Sequence, residues 1–124
     1  MNICKSLSIL VIIMLLSCAK PLPNLEGIDI QQWQQDRNAC SGVRARMRES
    51  IDKEKNKLLS LTQTQITRLL GKPDQNELSS RNQKFFYYFL QPSSACGASL
   101  DSLAERLAIR FNAVGLAKEV AILK

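Results

Sequence analysis

The chain has 124 residues, a formal net charge of +6 and no histidine. The missing histidine excludes Ser–His and Cys–His nucleophilic arrangements and most zinc sites. A chain of this length builds one domain around one core, and its hydrophobic fraction of 45% is ordinary for a globular unit.

Positions 1–17 read as a signal peptide: an n-region charged only at Lys5, an apolar run from Leu7 to Leu16 broken by Ser8, then Leu15-Leu16-Ser17-Cys18. The run is too short to span a bilayer, which takes about 20 apolar residues. A large aliphatic residue at Leu15 and the small Ser17 directly before Cys18 resemble the lipobox of bacterial lipoproteins. That resemblance implies diacylglycerylation of the Cys18 thiol and removal of the leader, leaving Cys18 as an acylated N-terminus. The alternative is a chance cysteine behind an ordinary signal. Several acyl chains, each buried CH2 contributing about 0.8 kcal/mol, hold a protein at a membrane stably. Ala19 stands where retention in the inner membrane usually calls for aspartate, so the same resemblance implies the outer membrane, facing the periplasm.

With Cys4 in the leader and Cys18 acylated, Cys40 and Cys96 remain for the exported domain. In an oxidising compartment they are expected to form one disulfide, with two buried free thiols as the alternative. The net charge falls to +5 without Lys5. It fits either a solvated surface or one lying against anionic lipid or an acidic protein, and nucleic acid is not an expected partner there.

Residues 18–28 carry two prolines and no periodicity, and are expected to be a tether. The domain is expected over 29–124. A first helix is predicted from Asp29, an N-cap with Gln32 three residues on. Trp33, Cys40, Val43, Met47, Ile51 and Leu58 recur on one stripe facing the core, opposite Gln34, Arg37, Arg44, Arg46, Arg48, Glu49 and Lys53. The helix should fray over 52–57. Trp33 is either a core residue or an exposed partner contact. A second helix is predicted over 63–70: Thr62 and Gln65 form a capping box, Leu61 and Ile66 a staple, and Gly71 and Pro73 the stop.

Lys84-Phe85-Phe86-Tyr87-Tyr88-Phe89-Leu90 predicts a strand with Phe85, Tyr87 and Phe89 on one face and Phe86, Tyr88 and Leu90 on the other. A loop over 91–104 carries Cys96, whose disulfide would staple it to the first helix. Leu107, Ile109 and Phe111 alternate with Arg106, Ala108 and Arg110 in a half-buried strand. Asn112-Ala113-Val114-Gly115 suits a turn with glycine at its left-handed end, and Lys118 to Leu123 returns as the last strand. The fold class expected is α+β, two N-terminal helices packed on a three-stranded antiparallel sheet as a two-layer sandwich.

The run Leu61-Thr62-Gln63-Thr64-Gln65-Ile66-Thr67-Arg68-Leu69-Leu70-Gly71-Lys72-Pro73-Asp74 resembles a segment of the SmpA/OmlA lipoproteins, the BamE-type accessory of the outer-membrane barrel-assembly machine. The aromatic strand with Tyr87, the strand ending Arg110-Phe111-Asn112 and the turn at Gly115 extend the likeness over 61–123, with a lipobox upstream. Similar caps and turns occur in β-lactamase-inhibitor proteins. The resemblance implies a non-enzymatic lipoprotein that binds envelope proteins, barrel-assembly components among them. None of that family's contact residues can be placed on this sequence.

The residues point the same way. Asp29, Asp36, Glu49, Asp52, Glu54 and Asp74 fall on predicted helix faces or turns as surface charges, so no acid–base pair is implied. There is no Cys-x-x-Cys and no glycine-rich phosphate loop, so no catalytic residue, metal, cofactor or small-molecule substrate is expected. The candidate partner surface is Phe85, Tyr87 and Phe89 with the basic residues Arg44 and Arg48; the strand's second apolar face is either exposed for binding or covered by the tether or the 91–104 loop. The function expected is an outer-membrane-anchored, periplasm-facing, protein-binding lipoprotein in outer-membrane protein assembly or envelope integrity. The alternative is an inhibitor-like module binding an envelope hydrolase.

Overall fold

The structure, a computed structural model, describes residues 21–97 and 103–124. The leader, Cys18 and Ala19 lie outside the described residues, as does the part of the 91–104 loop from 98 to 102.

Helix α1 spans Ile30–Gln35 and starts as expected, with the Asp29 carboxylate accepting from the Gln32 amide at 3.1 Å. It does not continue to residue 57. Asp36 ends it, because its side chain takes up the Ser41 amide at 2.7 Å and the Arg44 amide at 2.9 Å, competing with helical bonding. Between them the backbone turns through left-handed conformations at Asn38 and Ala39, both at φ 58, and at Gly42, φ 76. Helix α2, Val43–Arg46, and helix α3, Arg48–Glu54, follow, with 3-10 turns at Arg37–Ala39 and Lys55–Leu58. The expected fraying over 52–57 is the second of these turns. Of the predicted stripe, Trp33, Ile51 and Leu58 are buried, Val43 and Met47 half-buried, and Cys40 exposed. Trp33 is therefore a core residue.

Helix α4 spans Gln63–Leu70 within its predicted limits. The Gln65 amide donates to Thr62 Oγ1 at 3.1 Å and the Thr62 amide to Gln65 Oε1 at 2.9 Å, the reciprocal box expected. Leu61 packs on the core beside buried Ile66. At Gly71, φ 83 and ψ 179 is a conformation open to glycine alone, and a Cβ there would meet Gln34 Cγ at 3.0 Å.

Four antiparallel strands form one sheet in chain order: β1 Gln75–Leu78, β2 Lys84–Phe89, β3 Arg106–Phe111 and β4 Ala117–Leu123. The class is α+β, but with four strands instead of three and with several short helices in place of two. β1 is missed because Gln-Asn-Glu-Leu is exposed at every position and carries no apolar alternation; it is an edge strand formed by backbone pairing from Gln75↔Tyr87 to Leu78↔Lys84. Phe86, Tyr88, Leu107, Ile109, Phe111 and Val120 pack with Trp33, Ile51, Leu58, Ile66 and Leu70, so the helices cover one face. Phe86 and Phe111 meet edge to face at 4.8 Å. The β3–β4 turn closes through Gly115, φ 83, whose amide donates to Asn112 O at 2.9 Å, as its sequence predicts.

Cys40 and Cys96 are placed as a disulfide pair, Cα–Cα 5.4 Å, across a sequence separation of 56. Cys96 is tied to the turn after α1 and not to a helix, and the Ser93 amide donates to Asn38 O at 3.2 Å beside it. On the chain-entropy model a closure of this length stabilises by about 4 kcal/mol. Replacing both cysteines by serine should lower the unfolding free energy by about that amount in urea titration; a loss under about 1 kcal/mol would show that the pair does not constrain the unfolded chain.

Candidate functional site

The break after α1 turns Arg44 inward. Its side chain is fully buried, against the expectation that it lies on a solvated face as part of the partner surface. Nη1 donates to Asp74 Oδ2 at 2.6 Å, Nε donates to the Trp33 carbonyl at 2.9 Å, and Nη1 lies 3.4 Å from Phe89 O. The guanidinium sits 4.9 Å from the Trp33 ring centroid and 5.9 Å from that of Tyr88. Asp74 also accepts from the Asn38 amide at 3.1 Å and the Phe89 amide at 2.8 Å. Asp36 and Asp74, expected as surface charges, are thus interior acceptors taken up by backbone amides and, for Asp74, by Arg44 and by Arg37 at 3.8 Å. Arg44 Nη2 and Trp33 Nε1 are buried without a hydrogen-bond partner among the described residues.

The side chains of both Arg44 and Asp74 are fully buried. A charge stranded by loss of its partner costs about 3–5 kcal/mol. Asp74→Ala should therefore destabilise by roughly that amount, while Arg44→Met/Asp74→Leu should recover part of the loss in the same thermal or urea measurement. A single substitution that melts with the wild type would show that the pair does not hold the fold.

The other face of the sheet carries the residues with access to a partner. Phe85 and Tyr87, both half-buried, stack with ring centroids 6.0 Å apart and planes 7° from parallel. The Arg106 guanidinium lies 5.0 Å from the Tyr87 ring, the Tyr87 hydroxyl is 3.2 Å from Glu77, and Arg110 pairs with Glu119 at 3.3 Å. Phe89 shares this face but is buried with Ala39 and Ala104, so it is not part of the open surface. Arg48 lies elsewhere, in an ion pair with Glu105. Of the five candidate surface residues, Phe85 and Tyr87 stand together on the open face, while Arg44 and Phe89 meet in the interior. The structure adds Arg106 and Arg110, whose outward direction the β3 alternation already gave; the register Tyr87↔Ala108 and Phe85↔Arg110 that joins them to the aromatics has no signal in a single strand.

Among the described residues, no group of three or more His, Cys, Asp or Glu side chains could hold a metal ion, and no helix is long and apolar enough to cross a membrane. No family model, curated protein or solved structure matches the chain.

The two tyrosines report the two faces. Burial, helped by Glu77, pushes the Tyr87 hydroxyl above its ordinary value, and burial pushes Tyr88 up further. Both neutral forms are favoured by folding, so their contribution is complete below about pH 10 and is lost as pH rises through the folded values. Phenolate absorbance should show no tyrosine titrating below about pH 10 in the folded protein, and Glu77→Gln should lower the Tyr87 midpoint while leaving that of Tyr88 in place. A midpoint below the ordinary value for either ring would contradict its placement.

Proposed function

We propose that the chain is a lipid-anchored periplasmic lipoprotein of the outer membrane, acylated at Cys18, that works without catalysis by binding another envelope protein through the outer face of its sheet. The observation that carries this reading is the half-buried Phe85–Tyr87 stack flanked by Arg106 and Arg110. Stacked aromatics with neighbouring arginines are the side-chain types that dominate protein interfaces, because they remove large apolar area from water with few rotatable bonds. The lipobox at Leu15–Cys18 supports the anchor. The likeness of residues 61–123 to the SmpA/OmlA lipoproteins supports a role in outer-membrane protein assembly or envelope integrity, with barrel-assembly components as the partner. An inhibitor-like module would use the same face on an envelope hydrolase.

Affinity purification from detergent-solubilised native membranes, read by mass spectrometry, separates these. Barrel-assembly proteins should co-purify in stoichiometric amount with the wild type, drop at least about tenfold with Phe85→Ala/Tyr87→Ala, as loss of about 1.4 kcal/mol requires, and be retained by a Phe89→Leu variant. Recovery of a hydrolase instead, with loss of its activity on mixing, would favour the inhibitor. Equal recovery of partners by the wild type and the aromatic variant would remove this face from the function.

A further inference from the structure

Three of the five exposed large apolar side chains among the described residues, Leu59, Leu78 and Val114, lie at the end of the sheet that carries Pro21. One row of the strand register runs Leu78↔Lys84, Lys84↔Phe111 and Phe111↔Ala117. Ala117 continues it, accepting from the Ser60 amide at 2.8 Å and donating to Leu61 O at 2.9 Å. Along this row stand Leu59, 39% exposed, Leu78, 72% exposed, and Val114, 79% exposed at the tip of the β3–β4 turn. The other exposed large apolar residues among those described, Leu103 and Leu123, lie toward the opposite end. Arg81, Lys84 and Lys118 lie in the segments that carry these apolar side chains; the Lys84 ammonium stands 5.6 Å from the Phe86 ring, and none of the three is in an ion pair among the described residues. The carboxylates nearest in sequence are taken up, Glu77 by Tyr87 and Glu119 by Arg110.

Pro21 lies at this same end, lining a depression of about 540 Å³ with Leu59, Ser60, Leu61, Thr62, Gln65 and Leu116. Lys57 holds the segment behind it through the Asn24 carbonyl at 3.1 Å. Leu25 and Ile28, expected in the tether, are buried in the core and Leu22 packs against it, so the span left free runs from Cys18 to Pro21. Three residues at about 3.3–3.6 Å each reach at most about 11 Å. That is about one Debye length, so cations on this end feel a phospholipid surface that holds Cys18.

We propose that this end of the domain docks on the phospholipid bilayer, with Leu59 and Val114 in the headgroup region and Arg81, Lys84 and Lys118 against lipid phosphates. The proposal rests on acylation of Cys18. Apolar side chains interleaved with cations are what the interface of a bilayer accepts: the carbon atoms leave water while the charges remain among phosphates and water. A short tether makes this contact nearly intramolecular, so weak individual interactions suffice.

The full-length protein purified from membranes would be reconstituted into phosphatidylethanolamine–phosphatidylglycerol vesicles containing a bromolipid quencher, with tryptophan placed singly by Val114→Trp, Leu59→Trp or, at the far end, Lys72→Trp. Buried Trp33 supplies a common background. The mass of the N-terminal peptide is measured on the same samples. The expected result is an acylated Cys18, loss of about half the added fluorescence for V114W and L59W, and little loss for K72W. An acylated Cys18 with V114W and L59W no more quenched than K72W overturns the docking surface and leaves the anchor standing; an unmodified Cys18 overturns both.

Discussion

The contact on which most of the structure depends is the buried ion pair between Arg44 and Asp74. Taking a guanidinium and a carboxylate out of water costs several kcal/mol each unless nearly every polar atom finds a partner. Here the partners are backbone groups from segments far apart in sequence: the Trp33 carbonyl at α1, the Asn38 amide in the following turn, and the amide and carbonyl of Phe89 at the end of β2. The rings of Trp33 and Tyr88 flank the cation and shed little solvation by doing so. One pair thereby ties together the end of the first helix, the residue before β1 and the end of β2. Asp36 supports it from the other side by holding the Arg44 amide, which sets the start of α2.

That cluster also divides the outer face of the sheet. At its end, the turn carrying Ala39 and the segment carrying Ala104 lie over Phe89, and the Cys40–Cys96 pair holds the covering loop to that turn. Away from it, Phe85 and Tyr87 are left half-buried, with arginines beside them. An aromatic row of three is thus cut to two by the same interactions that stabilise the fold. Arg37 seals the rim, its Nη1 on the Lys72 carbonyl at 2.5 Å. The open surface and the closed core are consequences of one arrangement of charges.

The parts of this fold that are legible in the sequence are those set by neighbours in the chain. The capping box of Thr62 and Gln65, the stop at Gly71, the alternation of Leu107, Ile109 and Phe111 and the turn at Gly115 need only local bonding, and each stands where its residues predict. The long first helix fails because the apolar stripe from Trp33 to Leu58 continues across a break. Periodicity carries no record of Asp36 capturing the Ser41 and Arg44 amides, and without the break Arg44 reads as a solvent-facing residue. β1 is illegible for a different reason: an exposed edge strand is made by its partner's backbone and needs no pattern of its own. The candidate surface inherits both errors. Phe85 and Tyr87 are visible through strand alternation, whereas the burial of Arg44 rests on Asp74, 30 residues away, and that of Phe89 on Ala39 and Ala104 in other segments.

The two proposals constrain each other geometrically. The strands run from the row containing Leu78, Lys84, Phe111 and Ala117 toward the Arg44 cluster, and β2, six residues long, spans about 20 Å. With that row, the tether row, against the bilayer as proposed, the strands rise away from it and the Phe85–Tyr87 face looks sideways, along the membrane surface. With Cys18 acylated as proposed, a tether of at most about 11 Å would keep the domain against the bilayer. On these two proposals a partner for that face would itself stand at the membrane, within a strand's length of the lipid headgroups. Phe85, one residue from the tether row, would be the lower part of the contact and Arg106 the upper. A freely diffusing partner gains nothing from this geometry; one confined to the same membrane meets the face already oriented, which raises its effective concentration without any further contact.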